Sequence, residues 1–491
     1  MLLGHSAINF AANAFSAAFG LLNVVLFTRY FAPAEFGTYV LGLGFASVVN
    51  VLLGSWLRFP IMREQARGDG TDIRGYVVVG FFVSCVVAPG TYFAARLIGL
   101  EVHAAVTAVI FALSLSYFEI TQELLRARLK AFSVMKATMV RAILVPVLGI
   151  ALTTLGTSGT ILLASSALAY LIAALFFYRE VWSGVIVKID RARLWRMAKS
   201  GLPLTLSMTL LAVSTIIDRF VVAYFAGPAQ TGEYSAGVDL VRQALIIPAI
   251  SMAAAFFPLS VHILANRGIE AVRGHLDECI EILMAITLPA CLGIAITSAH
   301  IANTILGAEF RTVAAEVMPI VSIAVIFQIL TCQYLHISFL LSERNSFYLL
   351  STCATVAMNL IVACVLTAEF GAIGAAWSRL AAEMFGFLSA LFLIRWAFPI
   401  PLWSRRLARV IGAAIGMAVI VKGLDMFVIA RDSVALAILI PAGVVSYAAL
   451  CWLLNVAAMR DRFRQGIAGL PDFAVLAQAK WMSMRRGKSV Q

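Results

Sequence analysis

Residues 203–226 read PLTLSMTLLAVSTIIDRFVVAYFA, an apolar run whose only charges are Asp218 and Arg219. An α-helix needs about 20 apolar residues to cross a bilayer core of roughly 30 Å, so this run predicts a membrane-spanning helix. Charged side chains inside such a helix are costly, and they mark a candidate functional site. One segment thus indicates both a fold class and a place where function is to be sought.

Apolar runs of similar length recur from end to end of the 491 residues, of which 62% are hydrophobic and 13% are charged. We therefore predict an all-α polytopic membrane protein. Its transmembrane helices number about fourteen and lie near residues 6–28, 37–57, 76–99, 103–125, 137–155, 160–178, 203–226, 236–262, 280–300, 314–340, 347–367, 371–394, 408–428 and 433–455.

The cationic residues fall mostly on one side of this ladder of segments. With the N-terminus placed in the cytoplasm, most of the 37 Lys and Arg residues lie in cytoplasmic loops or in the C-terminal tail. The loops predicted to face outward hold only Arg29, Arg96, Arg311, Lys422 and Arg431. This is the positive-inside pattern, so both termini are predicted to be cytoplasmic. The net charge of +12 then indicates anionic membrane lipids as partners and requires no nucleic acid.

Several functional classes are disfavoured by what the sequence lacks. The seven cysteines form no CxxC pair, the six histidines form no HxxxH pair, and no GxxxxGK[ST] phosphate loop is present. No metal or other cofactor is therefore expected. The loops are also short for extramembrane donor or acceptor chemistry, so we expect a transporter rather than an enzyme.

Two motifs recur in the same order in the two halves of the chain. Residues 29–39 read RYFAPAEFGTY and residues 223–234 read AYFAGPAQTGEY, and both have the Pro and Gly that a tight turn needs. Residues 155–159 read LGTSG and residues 370–374 read FGAIG. Helices 1–6 and 7–12 are therefore predicted to be a parallel repeat of a six-helix lobe, which is a transporter architecture. A chance similarity of turn residues stays open as the alternative.

The predicted organisation has four parts. They are an N-terminal lobe with its following loop (1–199), a C-terminal lobe (200–407), two appended helices 13 and 14 (408–455), and a basic cytoplasmic tail (456–491).

Five motifs in order carry a resemblance to a known family. They are RYxxPxEFG from Arg29, RLWRMAKSGLP at 193–203, IDRFVV at 217–222, Gly227-x4-Gly232-Glu-Tyr234, and GAIGAA at 371–376. Together they resemble the Wzx-type polysaccharide transporter flippases of the multidrug/oligosaccharidyl-lipid/polysaccharide exporter superfamily.

The resemblance implies a function as well as a fold. Such a flippase translocates a polyprenyl-pyrophosphate-linked oligosaccharide across the bacterial inner membrane by alternating access, for lipopolysaccharide, capsule or exopolysaccharide synthesis. A polysaccharide polymerase and chain-length machinery are the implied protein partners. Two alternatives stay open: a cation-coupled drug antiporter of the same superfamily, and a membrane-embedded enzyme of polysaccharide assembly.

Charges inside the predicted helices are the candidate site residues. We expect a subset of the arginines to face a central cavity and receive the pyrophosphate, because their planar fork binds phosphate oxygens bidentately and stays charged. These cavity candidates are Arg58, Arg219, Arg242 and Arg379. Gating or coupling candidates are Asp218, Asp239, Glu383, Glu119, Glu123 and Arg141.

The alternative for each candidate is a self-neutralised structural bridge. Asp218 or Asp239 would pair with an arginine of the neighbouring helix, and Arg379 would pair with Glu383 four residues on. Glu119 and Glu123 would either bridge to Arg126 or Arg141 or serve proton coupling, and the sequence leaves H+ and Na+ open as the coupling ion.

Overall fold

The computed structural model describes residues 2–66, 72–185, 187, 191–401 and 405–456. Within these ranges the chain is almost entirely helical and contains no strand. The basic tail predicted at 456–491 lies outside the described residues from 457 onward. Long helices without strands are what a bilayer demands, since a helix satisfies all its backbone hydrogen bonds within one segment.

Within the described ranges, fourteen helices account for the predicted segments, so the predicted fold class is confirmed. In chain order they are α1 (Leu2–Tyr30), α2 (Pro33–Ala66), α3 (Arg74–Leu97), α4 (Val102–Ala127), α5 (Ala131–Leu155), α6 (Gly159–Phe176), α7 (Arg191–Ser214, resuming over 217–226), α8 (228–267), α9 (269–305), α10 (Ala308–Leu341), α11 (345–370), α12 (372–394), α13 (Arg405–Asp425) and α14 (Asp432–Leu454).

Three glycines separate helices that follow one another without a loop. The backbone is non-helical at Gly227 (φ 82°) and Gly268 (φ 79°), which divide the stretch Ile217–Ile305. Gly371 (φ 56°) divides Asn345–Ile394 in the same way. Positive φ costs glycine little because it has no Cβ, so glycine allows these reversals. Ten helical stretches of the described residues are long and apolar enough to cross a membrane when each undivided stretch is counted once.

The two ends of the helix bundle differ in character. We call the hairpin end the one where α1 turns into α2, α5 into α6, α7 into α8, and α11 into α12. The opposite end, which carries most of the cationic loop residues, is called the basic end. Large apolar side chains such as Phe82, Phe93 and Val445 are exposed on α3 and α14, where a bilayer would cover them.

The last two helices pack against α9 and are held by polar contacts at both ends. At the hairpin end, His300 Nε2 lies 2.8 Å from Asp425 Oδ1, and its Nδ1 lies 2.6 Å from Asp432 Oδ1. Closer to the basic end, the Tyr447 hydroxyl donates to the Ala285 carbonyl at 2.7 Å. At the basic end, three carboxylates of α9 surround Arg406 at 3.6–3.7 Å: Asp277, Glu278 and Glu281.

Candidate functional site

A cavity of about 460 Å³ lies between the two repeats, and we call it the central cavity. Its walls come from α1, α2, α4, α5 and α6 of the first repeat and from α7 and α8 of the second. This volume falls in the range of small-molecule binding sites. Its charged lining consists of Arg141, Arg219, Asp239 and Arg242.

The two walls of the central cavity differ in chemistry. The second repeat contributes Arg219, Asp239 and Arg242 together with isoleucines of α8. The first repeat contributes Arg141 and all of the aromatic lining, which comprises Phe19, Phe27, Phe36, Tyr39, Phe111 and Tyr170. One wall therefore presents charge and the other presents mainly aromatic surface.

Arg219 and Asp239 pair across the hairpin of α7 and α8. The Arg219 Nη2 donates to Asp239 Oδ1 at 2.5 Å. The side chain of Arg219 is 5% exposed and that of Asp239 is 23% exposed, so the carboxylate is the more accessible member of the pair. The prediction of an Asp–Arg contact between these neighbouring helices is confirmed. The pair neutralises one of the three cavity arginines.

The adjacent residue, Asp218, faces away from the cavity into the second repeat. It is fully buried, and its Oδ2 accepts from Arg379 Nη1 of α12 at 2.7 Å and from the Tyr234 hydroxyl of α8 at 2.7 Å. Arg379 is not in the lining of the central cavity among the described residues. Its ion-pair partner is Asp218 rather than Glu383, so the predicted i, i+4 bridge on α12 does not form within the described part of the chain.

Arg242 and Arg141 have no carboxylate within 4.0 Å in the part of the chain that the structure describes. Arg141 is instead held by neutral groups: its Nη1 donates to the Tyr170 hydroxyl at 2.8 Å and its Nη2 to Ser16 Oγ at 2.5 Å. The guanidinium carbon also lies 5.2 Å from the centre of the Tyr170 ring. With Arg219 neutralised by Asp239, these two arginines give the central cavity its net positive charge.

A second cavity of about 320 Å³ lies within the first repeat toward the basic end, and we call it the side cavity. Arg58 forms an ion pair with Glu119, which also accepts from Asn50 Nδ2 at 2.9 Å. Arg126 Nη1 lies 3.1 Å from Glu123 Oε2. The predicted bridge of Glu123 to Arg126 is thus present, whereas Glu119 pairs with Arg58, which was expected in the central cavity and lines the side cavity instead.

The repeated hairpin motifs meet at the hairpin end. A Cβ added at Gly37 would overlap the carbonyl oxygen of Pro228 and lie 3.1 Å from the backbone nitrogen of Gly232. Conversely, a Cβ added at Gly232 would overlap the carbonyl oxygen of Pro33 and lie 3.0 Å from the nitrogen of Gly37. Equivalent residues of the two repeats therefore touch backbone to backbone, and we call this contact the glycine seam.

In each half of the protein, a side chain of the first repeated motif forms a hydrogen bond with the backbone of the second repeated motif. Glu35 Oε2 accepts from the Gly159 backbone N–H at the start of α6, at 2.6 Å. Gln230 Oε1, at the equivalent position of the second repeat, accepts from the Ala372 backbone N–H at the start of α12, at 3.1 Å. Each contact satisfies a backbone donor that a helix start leaves unpaired. The two repeated sequence motifs thus form equivalent contacts in the two halves of the protein.

Two contributors to the site went unrecognised in the sequence. Ser16 and Tyr170 hold Arg141, but a serine and a tyrosine in apolar helices are common packing residues, and the sequence gives no signal for their contact with an arginine on another helix. The glycines at 37 and 232 did give a signal, because they belong to the repeated motif, but their pattern suggested only a turn.

Comparisons with known proteins agree on a transporter fold. The lipid II flippase MurJ in an inward closed conformation is similar, with a TM-score of 0.77 and 15% identity over 93% of this chain and 100% of that chain. A multidrug resistance MATE family transporter of the MOP superfamily is similar in its inward-facing conformation, with a TM-score of 0.55 and 17% identity over 80% of this chain and 94% of that chain. At these identities the likeness shows the fold alone.

An outward-facing conformation of a MATE family transporter gives a TM-score of 0.52 and 16% identity over 80% of this chain and 95% of that chain.

The sequence matches none of the curated proteins. Residues 26–315, more than half of the chain, match the family model described as polysaccharide biosynthesis protein. The resemblance carried by the sequence motifs is confirmed at this level. This multi-pass membrane protein belongs to the polysaccharide biosynthesis protein family.

Proposed function

We propose that this protein is a flippase for a polyprenyl-diphosphate-linked oligosaccharide in the bacterial inner membrane, with the basic end in the cytoplasm. The observation that carries the proposal is the net positive central cavity between the two repeats, where Arg141 and Arg242 lack carboxylate partners among the described residues. Membership of a polysaccharide biosynthesis protein family and a fold similar to that of a protein named as a lipid II flippase both support this proposal.

The charges suit a diphosphate. An arginine guanidinium offers paired N–H donors that match two phosphate oxygens, and it keeps its charge when buried. In a site with little water these bonds are stronger than at a surface. The aromatic wall of the first repeat gives sugar rings flat apolar faces to pack on, while the polyprenyl chain stays in the lipid.

The glycine seam suits alternating access. A parallel repeat changes accessibility when one lobe rocks against the other around a fixed central site. Gly37 and Gly232 allow the lobes to close tightly at the hairpin end, and opening there requires only that two small surfaces part. Buried ion pairs such as Asp218–Arg379 lie within one repeat and would move with it as a rigid body.

Coupling and partners belong to the same proposal. Glu119 and Glu123 in the side cavity are the candidates for coupling to H+ or Na+, which would require their ion pairs with Arg58 and Arg126 to open during the transport cycle. The released sugar unit would pass to a polymerase and chain-length machinery that make lipopolysaccharide, capsule or exopolysaccharide.

A drug antiporter of the MOP superfamily is the second candidate, because MATE family transporters share the fold. The cavity charge argues against it, since organic cations would be repelled by two arginines without carboxylate partners. The similar solved structures described above are named as a flippase and as transporters, which favours transport over enzymatic assembly for this fold.

Complementation tests the proposal. In a strain lacking its own flippase, the wild-type gene should restore surface polysaccharide, and Arg242→Ala should fail although the protein is inserted at normal levels. Arg242→Lys should restore it in part, because lysine keeps the charge but lacks the fork. Arg344→Ala, a change in the loop between α10 and α11 and outside both cavities, is the control that should complement fully. Full complementation by Arg242→Ala would overturn the cationic-cavity mechanism.

A further inference from the structure

Among the described residues, Arg141 is the one charged residue that borders both cavities. Of the described residues, only Ser16 and Arg141 line both the central cavity and the side cavity. Arg141 lies near the middle of α5, so its side chain separates the site between the repeats from the pocket that opens toward the basic end.

Three of the four other described arginines that line the two cavities are already paired with a carboxylate, and Arg242 is the exception. In the side cavity Arg58 pairs with Glu119 and Arg126 pairs with Glu123. In the central cavity Arg219 pairs with Asp239. A carboxylate bound to an arginine cancels most of the charge that a second anion would feel, so these three arginines attract a diphosphate less strongly than an arginine without a carboxylate partner does.

Arg141 is held in a different way. Its two terminal nitrogens donate to the hydroxyls of Ser16 and Tyr170, and the rings of Tyr170 and Phe118 lie 5.2 and 5.9 Å from its guanidinium carbon. Its Nε is buried without a hydrogen-bond partner. Hydroxyls and ring faces fix the orientation of a guanidinium without cancelling its charge, so the group is positioned yet electrostatically free.

We propose that Arg141 is a shared diphosphate subsite, which takes the headgroup in the side cavity and retains it as it passes into the central cavity, where Arg242 joins. Ser16 and Tyr170 act as positioning residues for this subsite. The inference rests on the proposed function and adds to it a path, from the basic end through the first repeat, and a residue that holds the substrate on both parts of that path.

Protection from thiol labelling tests the subsite at both positions. In a cysteine-free full-length protein in detergent, Thr138→Cys reports on the side cavity and Asn23→Cys on the central cavity. The probes are inorganic pyrophosphate and geranylgeranyl diphosphate, with inorganic phosphate as the comparison. Both diphosphates should slow labelling of both cysteines.

The variants then separate the two cavities. Arg141→Gln should raise the diphosphate concentration needed for protection about 10- to 100-fold at both cysteines, the loss expected for charge-assisted hydrogen bonds. Arg242→Gln should do so only at Asn23→Cys. Arg141→Lys should give an intermediate value. Tyr170→Phe, which keeps the ring and removes the hydroxyl, should weaken protection a few-fold at both positions, whereas Arg344→Gln should leave it unchanged.

Two results would overturn the subsite, and a third would overturn the function instead. The subsite is wrong if Arg141→Gln leaves protection of Thr138→Cys within twofold of its starting value, or if Arg344→Gln weakens protection as much as Arg141→Gln does. If neither diphosphate protects either cysteine before any arginine is changed, the proposed function fails. Should Arg141→Gln not fold, Arg141→Lys and Tyr170→Phe decide in its place, and protection equal to that of the parent protein in both variants would refute the subsite.

Discussion

Replacing Gly37 by alanine should open the hairpin end of the protein. In the structure, the new methyl group would overlap the Pro228 carbonyl oxygen and lie 2.9 Å from the Pro228 carbonyl carbon. Backbone atoms cannot swing aside as a flexible side chain can, so the two repeats themselves must separate. Overpacking of this kind costs about 1–3 kcal/mol. If the contact is lost when the hairpin end opens, the closed state alone pays this cost.

The expected shift in population follows from that cost. A change of 1–3 kcal/mol corresponds to roughly a 5- to 150-fold change in the ratio of the two states. The assay is labelling of Asn23→Cys in the central cavity by a membrane-impermeant thiol reagent added on the hairpin side of the membrane. The labelling rate should rise by a factor in that range, because the reagent reaches the cavity only from the open state.

The seam offers its own controls. Gly232→Ala should have a similar effect, and the double variant should do less than the product of the two, since one separation relieves both overlaps. Gly293→Ala on α9 is the matched control, because an added Cβ there meets nothing within 4 Å. Unchanged labelling in Gly37→Ala, with the protein folded and inserted, would refute the view that the glycine seam closes the central cavity.

Three further predictions address the buried charges and the topology. Asp218→Asn should lower the amount of folded protein and its thermal midpoint, because Arg379 then lies in a dry site without a carboxylate, a loss of about 3–5 kcal/mol, whereas Asp239→Asn at the wetter pair should cost less. His300→Ala should weaken the packing of α13 and α14 on α9, which should appear as faster amide hydrogen exchange near Asp425 in the native protein. Unchanged exchange in this variant would show that apolar packing alone holds α13 and α14 against α9. Membrane-impermeant thiol reagents should fail to label cysteines introduced in the 179–199 loop when added outside, and should label them when added on the cytoplasmic side. Efficient labelling from outside would reverse the proposed orientation.

The sequence was sufficient for the helices and for part of the site. Apolar runs of spanning length predict helices well because a bilayer allows few other structures. The contact of Arg219 with Asp239 could be predicted as well, since the two lie at similar depth on helices joined by a tight hairpin. The repeat could be read from two short motifs, and the structure places those motifs in equivalent contacts.

Partners that come from distant helices could not be predicted in this way. Helical periodicity suggested Glu383 for Arg379, but the packing of α12 on α7 brings Asp218 to it instead. The sequence marked Arg141 only as a gating or coupling candidate, and the rotation of α5 about its axis determines that the side chain reaches both cavities. Such rotations depend on the packing of the whole bundle, which no single segment encodes.

Translocation by the purified protein in liposomes is the direct test of the cationic central cavity. A fluorescent polyprenyl-diphosphate saccharide would be placed in one leaflet, and its appearance in the other measured with a membrane-impermeant quencher. We predict that the wild-type protein accelerates its transfer, that Arg242→Ala abolishes the acceleration and that Arg344→Ala preserves it. Equal transfer by wild-type protein and Arg242→Ala, or transfer of an organic cation in preference to the lipid diphosphate, would contradict the proposed function.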